Sequence, residues 1–180
     1  GVHAAAARAR SVGAPALRVF TGNHRSADAT PEQWQRAGDA LRALCDAHPD
    51  LAFCVEIHDW NLSDSVDGAL RLLRLVERPN LRLVHHPSHF PADLAGPLAA
   101  FGDRIAHVHA TNPGGTLASG TLDWRAVIAA LRAARYDGWL SVEYFGEDPD
   151  ARAGIEAETL RSMLASEGGG KIVAEDAAIS

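Results

Sequence analysis

Nine histidines occur in the 180 residues, and His85, His86 and His89 fall within five positions, where the apolar run from Leu81 to Val84 stops. Other apolar runs close on similar chemistry. The run 51–58 ends in Glu56 and His58, the run 104–110 carries His107 and His109, and the run 139–145 carries Ser141 and Glu143. Residues two apart on a strand share a face, so His107 points with His109 and Ser141 with Glu143. Carboxylates and imidazoles that converge can hold a divalent ion. Singly, each residue has an ordinary role. Glu56 could cap the next helix or pair with an arginine. His85 or His86 could face water in a loop, His107 could be a satisfied core histidine, and Glu143 could be an exposed strand end. Independent accident would not put all of them at the same end of their strands.

These positions need elements to carry them. Short apolar runs at 14–22, 51–58, 81–86, 104–110 and 139–145 read as five strands. Between them lie helical patterns. Thr30-Pro31-Glu32-Gln33 supplies an N-cap, a proline at the first helical position and a capping-box glutamine. A serine in 63–65 and Asp123 can open two more helices. Residues 93–102 read as a short helix kinked or split at Pro97, and a last helix runs from about 150 to 164. Strand and helix alternate with no hairpin signal, which implies a parallel sheet with right-handed crossovers. An open doubly wound sheet and part of a (β/α)8 barrel both fit. The glycine-rich 112–120, NPGGTLASG, lacks the G-x-G-x-x-G spacing of a dinucleotide site and falls in a long loop. In a parallel barrel the strand ends gather at one mouth, the C-terminal face where barrel active sites sit.

Composition removes several function classes. A net charge of -6 argues against a polyanion such as DNA. No apolar run approaches a membrane span and no charged-then-apolar leader opens the chain, so a cytoplasmic location is expected. Cys45 and Cys54 sit in apolar patterns and read as buried free thiols. Lys171 is the only lysine and lies in a glycine-rich stretch, which offers no buried amine for Schiff-base chemistry.

Four segments in order, CVEIHDWNLSDS, PNLRLVHHPSHF, RIAHVHATN and GTLDWRAVIAALRAARYDGWLSVEYF, resemble the sugar phosphate isomerase/epimerase family, the xylose isomerase-like TIM barrels. The resemblance covers most of residues 4–165. It implies an α/β fold of (β/α)8 TIM-barrel type, here incomplete. The five strands would be the fourth to eighth, and the first three β/α units of a ~250-residue fold would be missing. Residues 1–165 would form this partial barrel and 166–180 a flexible C-terminal tail. The terminal strands Leu17–Phe20 and Leu140–Phe145 would lack neighbours. The isolated chain would then be marginal or self-associating, as a homo-oligomer or with a complementing chain.

The resemblance also implies a site. The family's Glu, Asp, His and Glu metal ligands fall on Glu56, His86, His109 and Glu143. His86 stands where the family has Asp, a swap that favours Mn, Co, Zn or Ni over Mg for the one bound divalent ion. Glu56 and Glu143 would double as catalytic acid and base. His58, His89 and His107 would hold substrate hydroxyls, Trp60 would wall the pocket, and Arg25 could meet a phosphate. His85, one residue out of register, should point away from the pocket. The implied activity belongs to carbohydrate metabolism: metal-dependent isomerisation or epimerisation of a sugar, sugar phosphate or related polyol ketone through an enediolate. The alternatives are a related metal-dependent lyase or dehydratase and a non-catalytic remnant of the barrel. The family's endonuclease branch needs a further histidine, and residues 110–142 contain none.

Overall fold

Every apolar run read as a strand forms one in the computed structural model, which describes residues 1–144, 148–166 and 173–175. The chain divides into two compact units, residues 1–84 and 85–180.

The first unit opens with α1 (Val2–Ser11), then β1 (Ala16–Val19), α2 (Pro31–Ala47), β2 (Ala52–Glu56), α3 (Val66–Val76) and β3 (Leu81–His85), whose last residue begins the second unit. Thr30 caps α2 in a complete capping box with Gln33, and Ser65 caps α3 by accepting from the Gly68 N–H. β1, β2 and β3 are parallel, with Ala16–Val19 facing Ala52–Val55 and Phe53–Glu56 facing Leu81–Val84. Phe53, Val55, Leu81 and Leu83 are fully buried. Strand alternation sends Cys54 and Glu56 to the opposite face. Asn80, just before β3, closes the turn after α2 by donating its amide to the carbonyls of Cys45, His48 and Leu51 at 3.1–3.2 Å.

The second unit holds a 3-10 turn (Pro87–His89), α4 (Ala95–Phe101), a further 3-10 turn (Gly102–Arg104), β4 (Ile105–Ala110), α5 (Trp124–Ala133), β5 (Trp139–Val142), α6 (Pro149–Ser166) and β6 (Val173–Glu175). β4, β5 and β6 are parallel neighbours in that order. Asp123 caps α5 through the N–H groups of Arg125 and Ala126. Val108, Ala110, Ile128, Leu131, Leu140, Ala157 and Leu160 form this unit's buried core.

Four features differ from the sequence reading. α1 was not anticipated; it buries only Ala6 and Ala9 and so carries no broad apolar stripe. Pro97 does not kink α4. It is the third residue of the helix, in the first turn, where an N–H has no intrahelical acceptor to lose. Within the segment read as a tail, Val173–Glu175 form β6, which pairs with β5, so β5 has a neighbour on that side. The run 139–145 forms a strand only over Trp139–Val142; its last residue, Phe145, and Lys171 lie outside the described residues. Both cysteines are buried and free, and burial pushes the Cys54 thiol up to about 11, with Arg82 opposing.

Candidate metal centre

Strand β4 presents His107 and His109 on one face, their ring centroids 5.5 Å apart. Its register sets His109 beside Ser141 and His107 beside Trp139. His107 Nε2 lies 2.8 Å from Ser141 Oγ. Burial, with the nearby rings of His109 and His86, holds His107 down at about 4, so it is neutral at ordinary pH. β5 ends at Val142, and the ladder continues for one more bond, from the Glu143 N–H to the Ala110 carbonyl at 3.0 Å. That bond fixes the backbone from which Glu143 projects.

His86 follows β3 and begins the 3-10 turn, with its own carbonyl accepting from the His89 N–H at 3.1 Å. Its Nε2 lies 2.8 Å from His109 Nδ1. Glu143 Oε2 lies 3.6 Å from that His86 nitrogen and 3.5 Å from that His109 nitrogen. His86, His109 and Glu143 therefore each turn one ligand atom to a common point. Ligand atoms sharing an ion at about 2.1 Å, 90–109° apart, are separated by about 3.0–3.4 Å, so the spacing fits a divalent ion. The His89 ring lies edge-on to His86, with centroids 5.3 Å apart. His85 goes the other way, as alternation requires. It stacks on Phe90 at 5.8 Å and meets Phe101 edge-on, and burial, then His86 and His89, lower it to about 3.

In the first unit, Glu56 closes β2 and is 2% exposed. Its register partner is Val84, two residues before His86 in the chain. Ser63 Oγ donates to the Glu56 carbonyl at 2.6 Å. Arg18 Nη1 lies 3.2 Å from Glu56 Oε2. His58 turns Nδ1 to the Asp59 carbonyl and its ring edge to Phe20. Trp60 is 64% exposed, with the Arg25 guanidinium over its ring at 5.3 Å. Arg25 itself lies 3.5 Å from Asp64.

Three residues here escaped the sequence reading. Arg18 is one. Asn112 is another: its buried amide donates to the carbonyls of Leu117 and Leu122, and its Oδ1 accepts from the Leu122 N–H, which shapes the loop 111–122. A side chain at Gly120 would run into Asn112. The third is Glu156 on α6, buried and accepting from the Leu117 N–H at 2.8 Å. Asn112, Glu143 and Glu156 help line a cavity of about 400 Å³. The sequence signal for Asn112 was the Asn-Pro-Gly-Gly turn itself; Glu156 had none.

A family model described as "Xylose isomerase-like TIM barrel" matches residues 1–163. The chain belongs to that family. A putative hydroxypyruvate isomerase from Streptomyces coelicolor is 28% identical over 169 residues, which cover 84% of this chain and 61% of that protein. The chain thus spans about three fifths of that relative's length. Among solved structures, the D-allulose 3-epimerase of Methylomonas superposes with a TM-score of 0.76 at 22% identity, covering 89% of this chain and 67% of that one. A probable 3-DHS dehydratase from Bacillus anthracis gives 0.74 at 20%, covering 93% and 69%. At such identities the likeness establishes the fold: α/β, (β/α)8 TIM-barrel type, present in part. Its relatives include isomerases, epimerases and dehydratases. No helix among the described residues is long and apolar enough to cross a membrane.

Proposed function

We propose that this chain carries the metal-binding part of a divalent-metal-dependent isomerase or epimerase. Its substrate class is a sugar, sugar phosphate or related polyhydroxy carbonyl compound, and its route is an enediolate. The observation that carries this reading is the convergence of His86 Nε2, His109 Nδ1 and Glu143 Oε2. Glu56 is the fourth ligand in this reading. Its support is the family correspondence, its burial at the end of β2, and its register with Val84, two residues before His86. A set of two imidazoles and two carboxylates suits Mn, Co, Zn or Ni better than Mg.

A divalent ion held by Glu56, His86, His109 and Glu143 would supply a Lewis acid for negative charge developing on substrate oxygens. Glu56 and Glu143 are the acid/base pair, one taking the proton beside the carbonyl and the other returning it. His107, neutral and oriented by Ser141, offers a hydrogen bond to a hydroxyl. His89 beside His86, and His58 on the loop after β2, are further hydroxyl partners, and Trp60 walls the entrance. A homo-oligomer is the proposed assembly, and carbohydrate metabolism in the cytoplasm is the setting.

Metal analysis of the purified protein tests the site; stoichiometry near zero under metal-replete conditions rejects it. Glu56→Gln should weaken metal binding and abolish turnover together, since it removes a charged ligand and a proton carrier. A dehydratase is the second reading, favoured by the likeness to a probable 3-DHS dehydratase. Mass spectrometry of the product separates the two: an isomerase leaves the substrate mass unchanged, while a dehydratase removes one water.

A further inference from the structure

We propose that Glu156 is a specificity-determining residue: from the wall of the cavity it shares with Glu143, it accepts a hydrogen bond from a ligand hydroxyl and turns away a phosphate at the same place. The inference rests on the metal-site reading above for the polyhydroxy character of the ligand. It chooses between the sugar and the sugar phosphate that the reading leaves open.

The cavity lies wholly within the second unit, walled by the loop after β4, the residues that close β5 and Glu156 from α6. Its volume of about 400 Å³ falls within the roughly 300–1,000 Å³ of small-molecule sites. Glu156 is only 2% exposed. Its Oε2 accepts from the Leu117 N–H at 2.8 Å, and the Leu117 carbonyl accepts from the Asn112 amide at 3.1 Å. Leu117 is thus anchored on both sides, and the carboxylate cannot turn without giving up its bond. Glu156 Oε1 has no hydrogen-bond partner among the described residues, although the side chain is buried. A buried carboxylate oxygen without a donor is costly, and a donor that enters the cavity relieves the cost. Asn112 cannot supply it, because its amide hydrogens go to the carbonyls of Leu117 and Leu122.

The lining decides what kind of donor fits. Among the described residues it carries no lysine, arginine or histidine, and Ala110, Pro113, Gly114 and Gly115 contribute no hydrogen-bonding side chain. An ionised carboxylate only accepts hydrogen bonds. A hydroxyl satisfies it, whereas a phosphate brings acceptor oxygens and like charge to a wall with no cationic side chain. Sites built to bond a ligand O–H discriminate steeply, because the wrong group leaves the buried partner unpaired. The bond to Leu117 sets the carboxylate in place before the ligand arrives, so little ordering remains when it binds. Glu143 lines the same cavity, so a ligand that reaches Glu156 at one end lies beside a proposed metal ligand and proton carrier at the other.

Ribitol and ribitol 5-phosphate differ only in a terminal hydroxyl against a phosphate, and neither has a carbonyl to react. Isothermal titration of Zn and then of each compound into the full natural chain, as wild type and Glu156→Gln, tests the proposal. The glutamine keeps an acceptor for the Leu117 N–H but turns a donor to the cavity. Affinity for ribitol relative to its phosphate should therefore fall at least about tenfold in Glu156→Gln. A ratio unchanged by the substitution overturns the proposal, because a glutamate that only ties down the loop moves both affinities together. Wild type that binds no ribitol overturns it as well. Wild type that binds no Zn refutes the metal-site reading; the ratio is then read on the metal-free chain, where the same fall supports the proposal and its absence overturns it. Intact Zn binding with an unchanged ratio overturns this inference alone. Should Glu156→Gln fail to unfold cooperatively, the Zn-loaded wild type decides. Ribitol should shift the ¹³C resonance of the Glu156 side-chain carboxyl, and an unmoved resonance overturns the proposal.

Discussion

Replacing His86 by alanine tests the centre most directly. The His86 side chain is almost fully buried, with Nε2 at 2.8 Å from His109 Nδ1 and 3.6 Å from Glu143 Oε2. Loss of residues that merely support a ligand costs about 10–100-fold in metal affinity, so loss of a ligand should cost at least about 100-fold, or ~2.7 kcal/mol. Thermal unfolding converts that into an observable. With Mn at 100 times the wild-type Kd, binding adds about 2.7 kcal/mol of stability. At the same concentration the variant, with Kd raised 100-fold, gains only about 0.4 kcal/mol. For a domain of this size the ~2.3 kcal/mol difference corresponds to roughly 5–9 °C of metal-induced shift in Tm.

The metal-free proteins serve as the baseline, because His86→Ala also removes a hydrogen-bond partner of His109 and lowers intrinsic stability by about 1–3 kcal/mol. Only the increment on adding metal reports ligation. His86→Asp should retain most of the increment and move the preference towards Mg, since a carboxylate is the harder ligand. Equal increments in wild type, His86→Ala and His86→Asp would refute the assignment of His86 as a ligand.

Two further outcomes concern the scaffold. Asn112→Ala removes three hydrogen bonds to the backbone of Leu117 and Leu122 and should cost about 3 kcal/mol in urea unfolding; a loss under ~1 kcal/mol would show that the loop does not depend on that amide. Metal-free protein should lose stability as pH falls below 6.5. His85 and His107 are held at about 3 and about 4 in the fold, so the unfolded chain takes up protons that the native state refuses. Their contribution is complete above 6.5 and is lost as pH falls towards 4 and then 3, at up to about 1.4 kcal/mol per pH unit for each histidine. Asp50, held at about 2 by Arg10, enters only near its ordinary value of 3.8, and Glu32, lowered from 4.5 chiefly by a backbone hydrogen bond, enters near 4.5, so the window from 6.5 to about 5 reports the histidines. Flat urea midpoints across that window would contradict this.

What could be read from the sequence follows the range of the interaction. Strand alternation is local, so the shared face of His107 and His109 and the opposite directions of His85 and His86 were both legible. Helix starts at Thr30, Ser65 and Asp123 were legible because a cap is a contact within a few residues. The Arg18–Glu56 contact was not, since nothing in either segment says which arginine among many a strand-end glutamate will meet. The loop 111–122 was hidden for another reason. Its shape depends on one amide bonding to backbone groups up to ten residues away, and that leaves no periodicity. α1 went unread because an alanine-rich helix signals itself by propensity alone, with little apolar stripe.

The two readings open for Glu56, metal ligand and partner of an arginine, are therefore not rivals. A buried carboxylate proposed as a metal ligand needs a counter-charge while no ion is bound, because a buried anion without one is costly. Arg18 supplies it at 3.2 Å from the side chain's Oε2. A lysine would offer a point charge, whereas the guanidinium can stay stacked on Phe20 as its carboxylate partner changes. His86 acts in the same electrostatic direction. In the place of the family's aspartate it removes one negative charge from the proposed ligand set.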